Sequence, residues 1–236
     1  MINRQGCGVM GPSTEVQDQP GGQTVEAGIS NLRIMYQSGT LSLPIMLTLT
    51  VPTVKRGVHM SRLVGAVLRN SRGGLLEDAL RRMCSEVDAT QGGCRIRAEL
   101  QYPVDDQFMD IAVILNSTGT IEYSFRKFGI TACPCSREEC GIGHMQRSSI
   151  SVSLTSSIPL DFVEVASKLD SCFSATLSEH LKRHQEASKI IEAQSKPRFV
   201  EDLVRECLKL FPQSSRIEAR SLESIHSHDA VAYYTR

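Results

Sequence analysis

The sequence has no tryptophan, and only 5% of its 236 residues are aromatic. That disfavours a nucleic-acid platform, which stacks bases on exposed rings inside a basic groove. Net charge is missing as well: 26 Lys and Arg balance 26 Asp and Glu, so a polyanion-coating protein is not expected. No apolar run approaches the ~18 to 20 residues of a membrane-spanning helix, and residues 1–14 hold no hydrophobic stretch behind a basic start. A cytoplasmic protein with neither membrane nor nucleic-acid partners is expected. What is present is 41% hydrophobic residues, enough for one large or two compact units. The eight cysteines are expected as thiols, so any that cluster with histidine become metal or catalytic candidates.

Residues 1–22 are rich in Gly, Pro, Gln and Ser without apolar period and read as an N-terminal arm. From Leu43 the chain alternates, with Ile45, Leu47, Leu49 and Val51 on one face and Met46, Thr48 and Thr50 on the other, as in a half-buried strand. Pro52 is expected to end it. Met60, Leu63, Val64, Val67 and Leu68 fall at helical spacing, and after Gly73 and Gly74 so do Leu76, Ala79, Leu80, Met83 and Val87. Ile96, Ala98 and Leu100 alternate with polar neighbours, and residues 109–115 form another apolar run. The first half reads β-β-α-α-β-β.

The order starts again near Thr120, with Ile121, Tyr123 and Phe125, then Ile150, Val152 and Leu154, alternating against polar residues. Phe162, Ala166, Leu169, Phe173, Leu177 and Leu181 predict one long helix. Pro197, suited to a first turn, precedes a further stripe through Val200, Leu203, Val204, Cys207 and Phe211. Two short strand-like stretches near 217–219 and 230–234 close the chain. Tandem β-β-α-α-β-β units with antiparallel hairpins make an α+β fold. It divides into an arm (1–22), a first module (23–118) and a second module (119–236) carrying most of the chemistry.

Cys133-Pro-Cys135, Cys140 and His144 lie within twelve positions, in a glycine-containing segment read as a loop. Thiolate and imidazole suit zinc and ferrous iron, and a loop can bring Cys135 and His144 onto one ion; ordinary loop thiols are the plain alternative. Glu223, His226, His228 and Asp229 form a second cluster. In an extended segment His226 and His228 share a face, and histidine beside a carboxylate suits proton transfer near neutral pH. A solvated polar terminus is the alternative there. His180 and His184 stand at i, i+4 on the long helix but lack the glutamate of zinc-binding helices, so an exposed face is favoured; Glu186, near the helix end, could still reach a site. Glu201 and Asp202 fall in a helix first turn, where the macrodipole alone favours acids. Lys55, Arg56, His59 and Arg62 cluster at a strand-to-helix junction, suited to a phosphate or simply to solvent.

Taken together, Gly57-Val-His59-Met-Ser-Arg62, Gly129-Ile-Thr-Ala-Cys133-Pro-Cys135, His144-Met-Gln-Arg147, Pro197-Arg-Phe-Val-Glu201-Asp202 and Glu223-Ser-Ile-His226-Ser-His228-Asp229 resemble the type IB GTP cyclohydrolases, in order across nearly the whole chain. The resemblance implies the tunnelling fold (T-fold), whose tandem modules assemble into homo-oligomers, here a dimer or tetramer. It implies metal-dependent hydrolysis of GTP: water attacks C8 of guanine, the imidazole ring opens, formate leaves, and a 7,8-dihydroneopterin phosphate forms for pterin biosynthesis. It implies Cys135, His144 and Glu186 as metal ligands, with Cys133 or Cys140 as alternatives to Cys135, and Fe(II) as the ion ahead of Zn(II) or Mn(II). It further implies Glu201 as a buried acid holding the pyrimidine edge of the base. Glu223, His226 and His228 resemble the proton-transfer group, and Lys55, Arg56, His59 and Arg62 would meet the phosphates.

The Thr-Ala-Cys-Pro-Cys wording resembles the archaeal branch, which makes a 2',3'-cyclic phosphate for methanopterin, whereas the bacterial branch makes a triphosphate for folate. Two other readings compete. One is a related tunnelling-fold nitrile reductase, whose Glu-Ser-Lys-Ser-type motif is absent here. The other is a non-catalytic protein whose Cys and His cluster holds structural zinc.

Overall fold

A computed structural model describes residues 15–117 and 119–236. Eight strands form one antiparallel sheet in chain order: β1 (Pro20–Ser38), β2 (Leu41–Lys55), β3 (Arg95–Val104), β4 (Gln107–Asn116), β5 (Ile121–Ala132), β6 (Met145–Ser156), β7 (Arg216–Ser221) and β8 (Ala230–Thr235). Helices α1 (Met60–Asn70) and α2 (Leu76–Gln91) link β2 to β3. The short α3 (Pro134–Cys140) links β5 to β6, and α4 (Phe162–Cys172), α5 (Arg183–Ser195) and α6 (Val200–Leu210) link β6 to β7. The α+β class is as expected, with the strand pairing antiparallel throughout the sheet.

Alternation builds the core. Ile45, Leu47, Leu49 and Val51 of β2, Phe125 of β5 and Ile150 and Val152 of β6 turn one way and are buried in a single cluster with Leu63, Val67, Leu80, Met83, Leu169 and Leu203 from the helices. The opposite face keeps its polar side chains and forms an open hollow of about 800 Å³ lined by Arg33, Arg97, Glu99, Asp110 and Arg126. The helices thus cover one face and leave the other open, and among the described residues neither edge strand has an outer strand partner, β1 making only a single bridge from Gln37 to Arg72.

Several elements differ from the sequence expectations, each for a physical reason. β1 begins at Pro20, inside the segment read as an arm, while residues 1–14 lie outside the described residues. Pro52 does not end β2. The pairing of β2 with β3 stops at Thr50 opposite Arg95, so the proline falls where β3 asks for no hydrogen bond, and β2 runs on to Lys55 against β1. The 133–144 segment is not all loop, because α3 starts there with Pro134 at a first-turn position and stops at Gly141 in the left-handed region, φ 81°.

The long helix breaks after Cys172. Phe173 takes extended backbone, φ −79° and ψ 166°, and the next two residues bond to Ile130: Ile130 N–H donates to the Ala175 carbonyl at 2.8 Å and Ser174 N–H to the Ile130 carbonyl at 2.9 Å. Gly129 makes this possible, since a Cβ there would lie 2.2 Å from the Phe173 ring. The period through Leu177 and Leu181 is therefore not helical, and His180 lies in a connection while His184 lies in α5. Pro197 also stands outside a helix, three residues ahead of α6.

Candidate active site

The end of the β5–β6 ladder sets the site. Ala132 pairs with Met145, and Cys133 N–H donates to the His144 carbonyl at 2.9 Å, adding one more rung. Residues directly opposite in an antiparallel pair direct their side chains to the same side, with Cβ atoms ~5 Å apart. The backbone of Cys133 therefore stands opposite that of His144. Gly143 allows this approach, because a Cβ on it would fall 2.5 Å from the Cys133 carbonyl oxygen. Cys135 lies in the first turn of α3 and is exposed, and Cys140 lies at its end, where its thiol donates to the Ser136 and Ile142 carbonyls.

A hydrogen-bond chain fixes the His144 ring. Gln146 Nε2 donates to Thr131 Oγ1 at 3.1 Å, and Thr131 shares a 2.7 Å bond with Ser148. The Gln146 amide oxygen is thereby turned to His144 and accepts from Nδ1 at 2.8 Å. Nδ1 thus carries the hydrogen and Nε2 the lone pair, the tautomer a metal ligand needs.

The C-terminal cluster arrives at the same corner. β7 pairs with β6 up to Ser221 opposite Ser148, and Leu222 N–H donates to the Arg147 carbonyl at 2.9 Å. The β7–β8 connection therefore begins beside His144. Glu223 Oε2 lies 3.8 Å from His144 Nδ1, and the His226 ring stands edge-on to His144 with centroids 6.3 Å apart. His228 stacks on His226 at 5.0 Å and 12°. The two histidines do share a face, but within a bent connection and not an extended strand.

Two helices frame this corner. Arg198 N–H donates to the Ala132 carbonyl at 3.0 Å, which anchors the approach to α6 next to Cys133. Glu201 follows in the first turn of α6. Asp202 takes the capping role by accepting from Phe199 N–H at 3.0 Å, and Glu201 is exposed, where a buried acid was expected. Among the described residues of the single chain, nothing covers the first turn of α6 on that side. On α5, Ala193 packs with Ala132 and Ala175, and Gln194 exchanges two hydrogen bonds with the Gly143 backbone, at 2.9 and 2.7 Å. Glu186 shares the Ala193 face two turns earlier, ~10 Å along the axis, and is exposed.

The basic cluster sits elsewhere. Lys55 ends β2 and His59 caps α1, and β2 is four strand steps from β6, about 19 Å along the sheet. A short turn at residues 15–19 covers these side chains. Lys55 Nζ bonds Asp18 at 2.7 Å, Arg56 donates to Gln19 at 3.0 Å, and buried His59 has Glu15 on Nδ1 at 3.1 Å and Asp18 on Nε2 at 3.4 Å. Bonding to Lys55 first, then to His59, holds the Asp18 carboxyl below its ordinary range. Arg62 lies exposed on α1.

Among the described residues, the group of three or more ligand-type side chains whose atoms all lie within 4.8 Å of one another is Glu15, Asp18 and His59. Two carboxylates and an imidazole could hold a divalent ion. They fit one poorly, because the carboxylates flank opposite ring nitrogens and the Lys55 ammonium already occupies Asp18. Cys135, His144 and Glu186 do not converge to that degree in the single chain. The thiol and the tautomer-locked imidazole at Cys133 and His144 fit zinc or ferrous iron by donor type.

A family model described as type I GTP cyclohydrolase folE2 matches residues 23–232. The chain belongs to that family. It is thereby an enzyme of the GTP cyclohydrolase type. Over 88% of its length it is 31% identical to the GTP cyclohydrolase FolE2 of Neisseria gonorrhoeae, covering 91% of that protein. It is also 31% identical, over 82% of each chain, to the GTP cyclohydrolase MptA of Aeropyrum pernix. The crystal structure of uricase from Arthrobacter globiformis superposes with a TM-score of 0.54 at 9% identity, covering 91% of this chain and 94% of that one. That likeness shows the fold alone, the tandem T-fold architecture. No helix among the described residues is long and apolar enough to cross a membrane.

Sequence reasoning missed Gln146 as the residue that fixes His144. Its signal was available, because a residue two positions along a strand shares the face of His144. It gave Cys135 with Cys133 and Cys140 as alternatives, and spacing alone cannot say which of these thiols lies opposite His144.

Proposed function

We propose that this enzyme opens the guanine imidazole ring of GTP with a bound divalent metal, Fe(II) ahead of Zn(II) or Mn(II). The reading rests above all on the opposed pair Cys133 and His144, with Glu223 and His226 beside it. His144 supplies Nε2, a thiolate of the Cys133-Pro-Cys135 pair supplies sulfur, and Glu186 completes the set. Cys133 is preferred to Cys135 because of its rung. Such an ion supplies a water of lowered pKa and a polarised C8.

The chain's own residues do the rest. Glu201 accepts from N1–H and the 2-amino group of guanine, a paired donor edge that a carboxylate matches. His226 and His228 carry protons to N7 and to the ribose oxygens, and Glu223 orients them. The balance is one water consumed per formate released, with no redox change: C8 leaves as formate, and the ribose carbons close the new ring as 7,8-dihydroneopterin phosphate.

Lys55, Arg56, His59 and Arg62 meet the phosphates, and they do so from a second copy. They sit four strands from β6, and the register carries the Lys55 end of β2 to the Ile121–Ser156 end of the β5–β6 pair, opposite the Ala132–Met145 end where His144 lies. A homo-oligomer that brings unlike edges together unites them. The phosphates then displace the acidic turn at residues 15–19. A thiolate ligand needs a reducing compartment, so we place the enzyme in the cytoplasm.

Anaerobic incubation of Fe(II)-loaded protein with GTP tests the reading through formate and the mass of the oxidised pterin. We expect one formate per GTP. A neopterin 2',3'-cyclic phosphate assigns the methanopterin branch and a triphosphate the folate branch, between which equal identity to the FolE2 and MptA relatives does not choose. Absence of formate with Fe(II), Mn(II) and Zn(II) overturns it.

A further inference from the structure

A cavity of about 390 Å³ lies away from the candidate site, between the end of the β1–β2 hairpin and the first turns of α2 and α4. Its walls include Tyr36, Leu75, Leu100, Tyr102 and Phe162, and Glu77 lines it with them. Tyr102 and Phe162 meet edge to face at 5.3 Å. Flat, apolar and aromatic walls of this size suit a planar ring system.

Glu77 is the unusual member, a carboxylate left only 2% exposed. Its Oε1 accepts from Tyr123 Oη at 2.7 Å. Burial, then the Glu77 carboxylate, pushes the Tyr123 hydroxyl well above its ordinary range, so Tyr123 stays a donor. A carboxylate offers roughly four acceptor positions, and the phenol takes one. Acceptor capacity beyond the Tyr123 bond is left over. A donor supplied from the cavity would use it.

The two halves of the chain show what kind of donor. Residues 75–80, Leu-Leu-Glu-Asp-Ala-Leu, match residues 199–204, Phe-Val-Glu-Asp-Leu-Val. Both open the last helix before the closing hairpin of a four-stranded half: α2 before β3 and β4, α6 before β7 and β8. Glu77 and Glu201 hold the same place in the repeat.

We propose that the Glu77 cavity is a second heterocycle site, binding a flat ring with adjacent N–H and NH₂ donors, the edge shared by guanine and pterin. The choice of ring rests on the role given to Glu201 above; the cavity and its carboxylate do not. The ring faces lie against Tyr102, Phe162 and Leu100, and the donor edge meets Glu77. A purine or pterin held there would act on an enzyme that turns one into the other, as an effector and not as substrate, because Cys133 and His144 lie at another corner.

Guanosine, which lacks phosphates, is the probe. It is titrated by calorimetry into the full chain carrying Glu201→Gln, which removes the proposed base contact of the active site. We expect saturable binding of one guanosine per chain, weakened at least about tenfold by Glu77→Gln, as loss of a charge-assisted bond implies. Leu75→Trp, at the exposed rim, should abolish it by filling the mouth while leaving the core and Tm unchanged. No saturable binding, or binding indifferent to both substitutions, overturns the proposal. Formate release is scored separately on the unsubstituted chain, so failure of the cyclohydrolase reading and failure of the cavity reading give different results.

Discussion

Cys133 and His144 stand opposite each other one residue beyond the last Ala132–Met145 pair of the β5–β6 ladder, joined by a 2.9 Å backbone hydrogen bond from the cysteine to the histidine. The relationship ranks the thiols. Cys133→Ser and His144→Ala are expected to lower bound Fe(II) or Zn(II) by at least about tenfold with little change in Tm, whereas exposed Cys135→Ser should retain most of the metal. Metal content per chain after gel filtration measures this. Loss with Cys135→Ser alone would move the ligand to α3.

Gln146 should matter nearly as much without touching metal. Gln146→Met removes the acceptor that keeps hydrogen on Nδ1 of His144, and a ten- to hundredfold loss of metal affinity is typical for such partners. Competition with a chelator reads it. Unchanged affinity would mean that Glu223, 3.8 Å away, suffices to hold the ring.

Gly129→Ala tests the break after α4. Its new Cβ meets the buried Phe173 ring, so overpacking should cost about 1 to 3 kcal/mol. Urea unfolding checks the value. No loss would show that Phe173 can move, and that the helix could have continued.

Asp18 gives the pH test. Its folded pKa is depressed below the ordinary 3.8 by Lys55 and then His59, so its contribution is present above pH 3.8 and lost as pH falls through the folded value. Between pH 5 and 2.5 the wild type should therefore lose more Tm than Asp18→Asn. Parallel curves would show that the 15–19 turn is not held by that charge.

The sequence exposed most where alternation and chemistry coincide. Ile45, Leu47, Leu49 and Val51, and likewise Ile150 and Val152, are buried as their period requires, and the order of strands and helices in the first half followed. What stayed hidden was tertiary. The helical spacing through Phe173 and Leu177 carries no sign that Gly129, more than forty positions away, opens a place for the Phe173 ring. β1 is largely exposed along its length, so its 19 residues lack the alternation that reveals a half-buried strand. At the site, the meeting of His144 with Glu223 and His226 comes from strand register, which neither motif contains. Glu201 is exposed and the basic cluster lies four strands from β6, and on the assembly proposed above a second copy completes both.

Subunit complementation tests the composite site most directly. Lys55→Ala/Arg56→Ala chains and His144→Ala chains are assayed for formate from GTP, alone and after co-expression. Each alone should be nearly inactive. Random co-assembly should restore about a quarter of wild-type activity, because half the chains pair unlike and each such pair holds one intact site. No recovery in co-assembled protein would contradict a site shared between two edges of two copies.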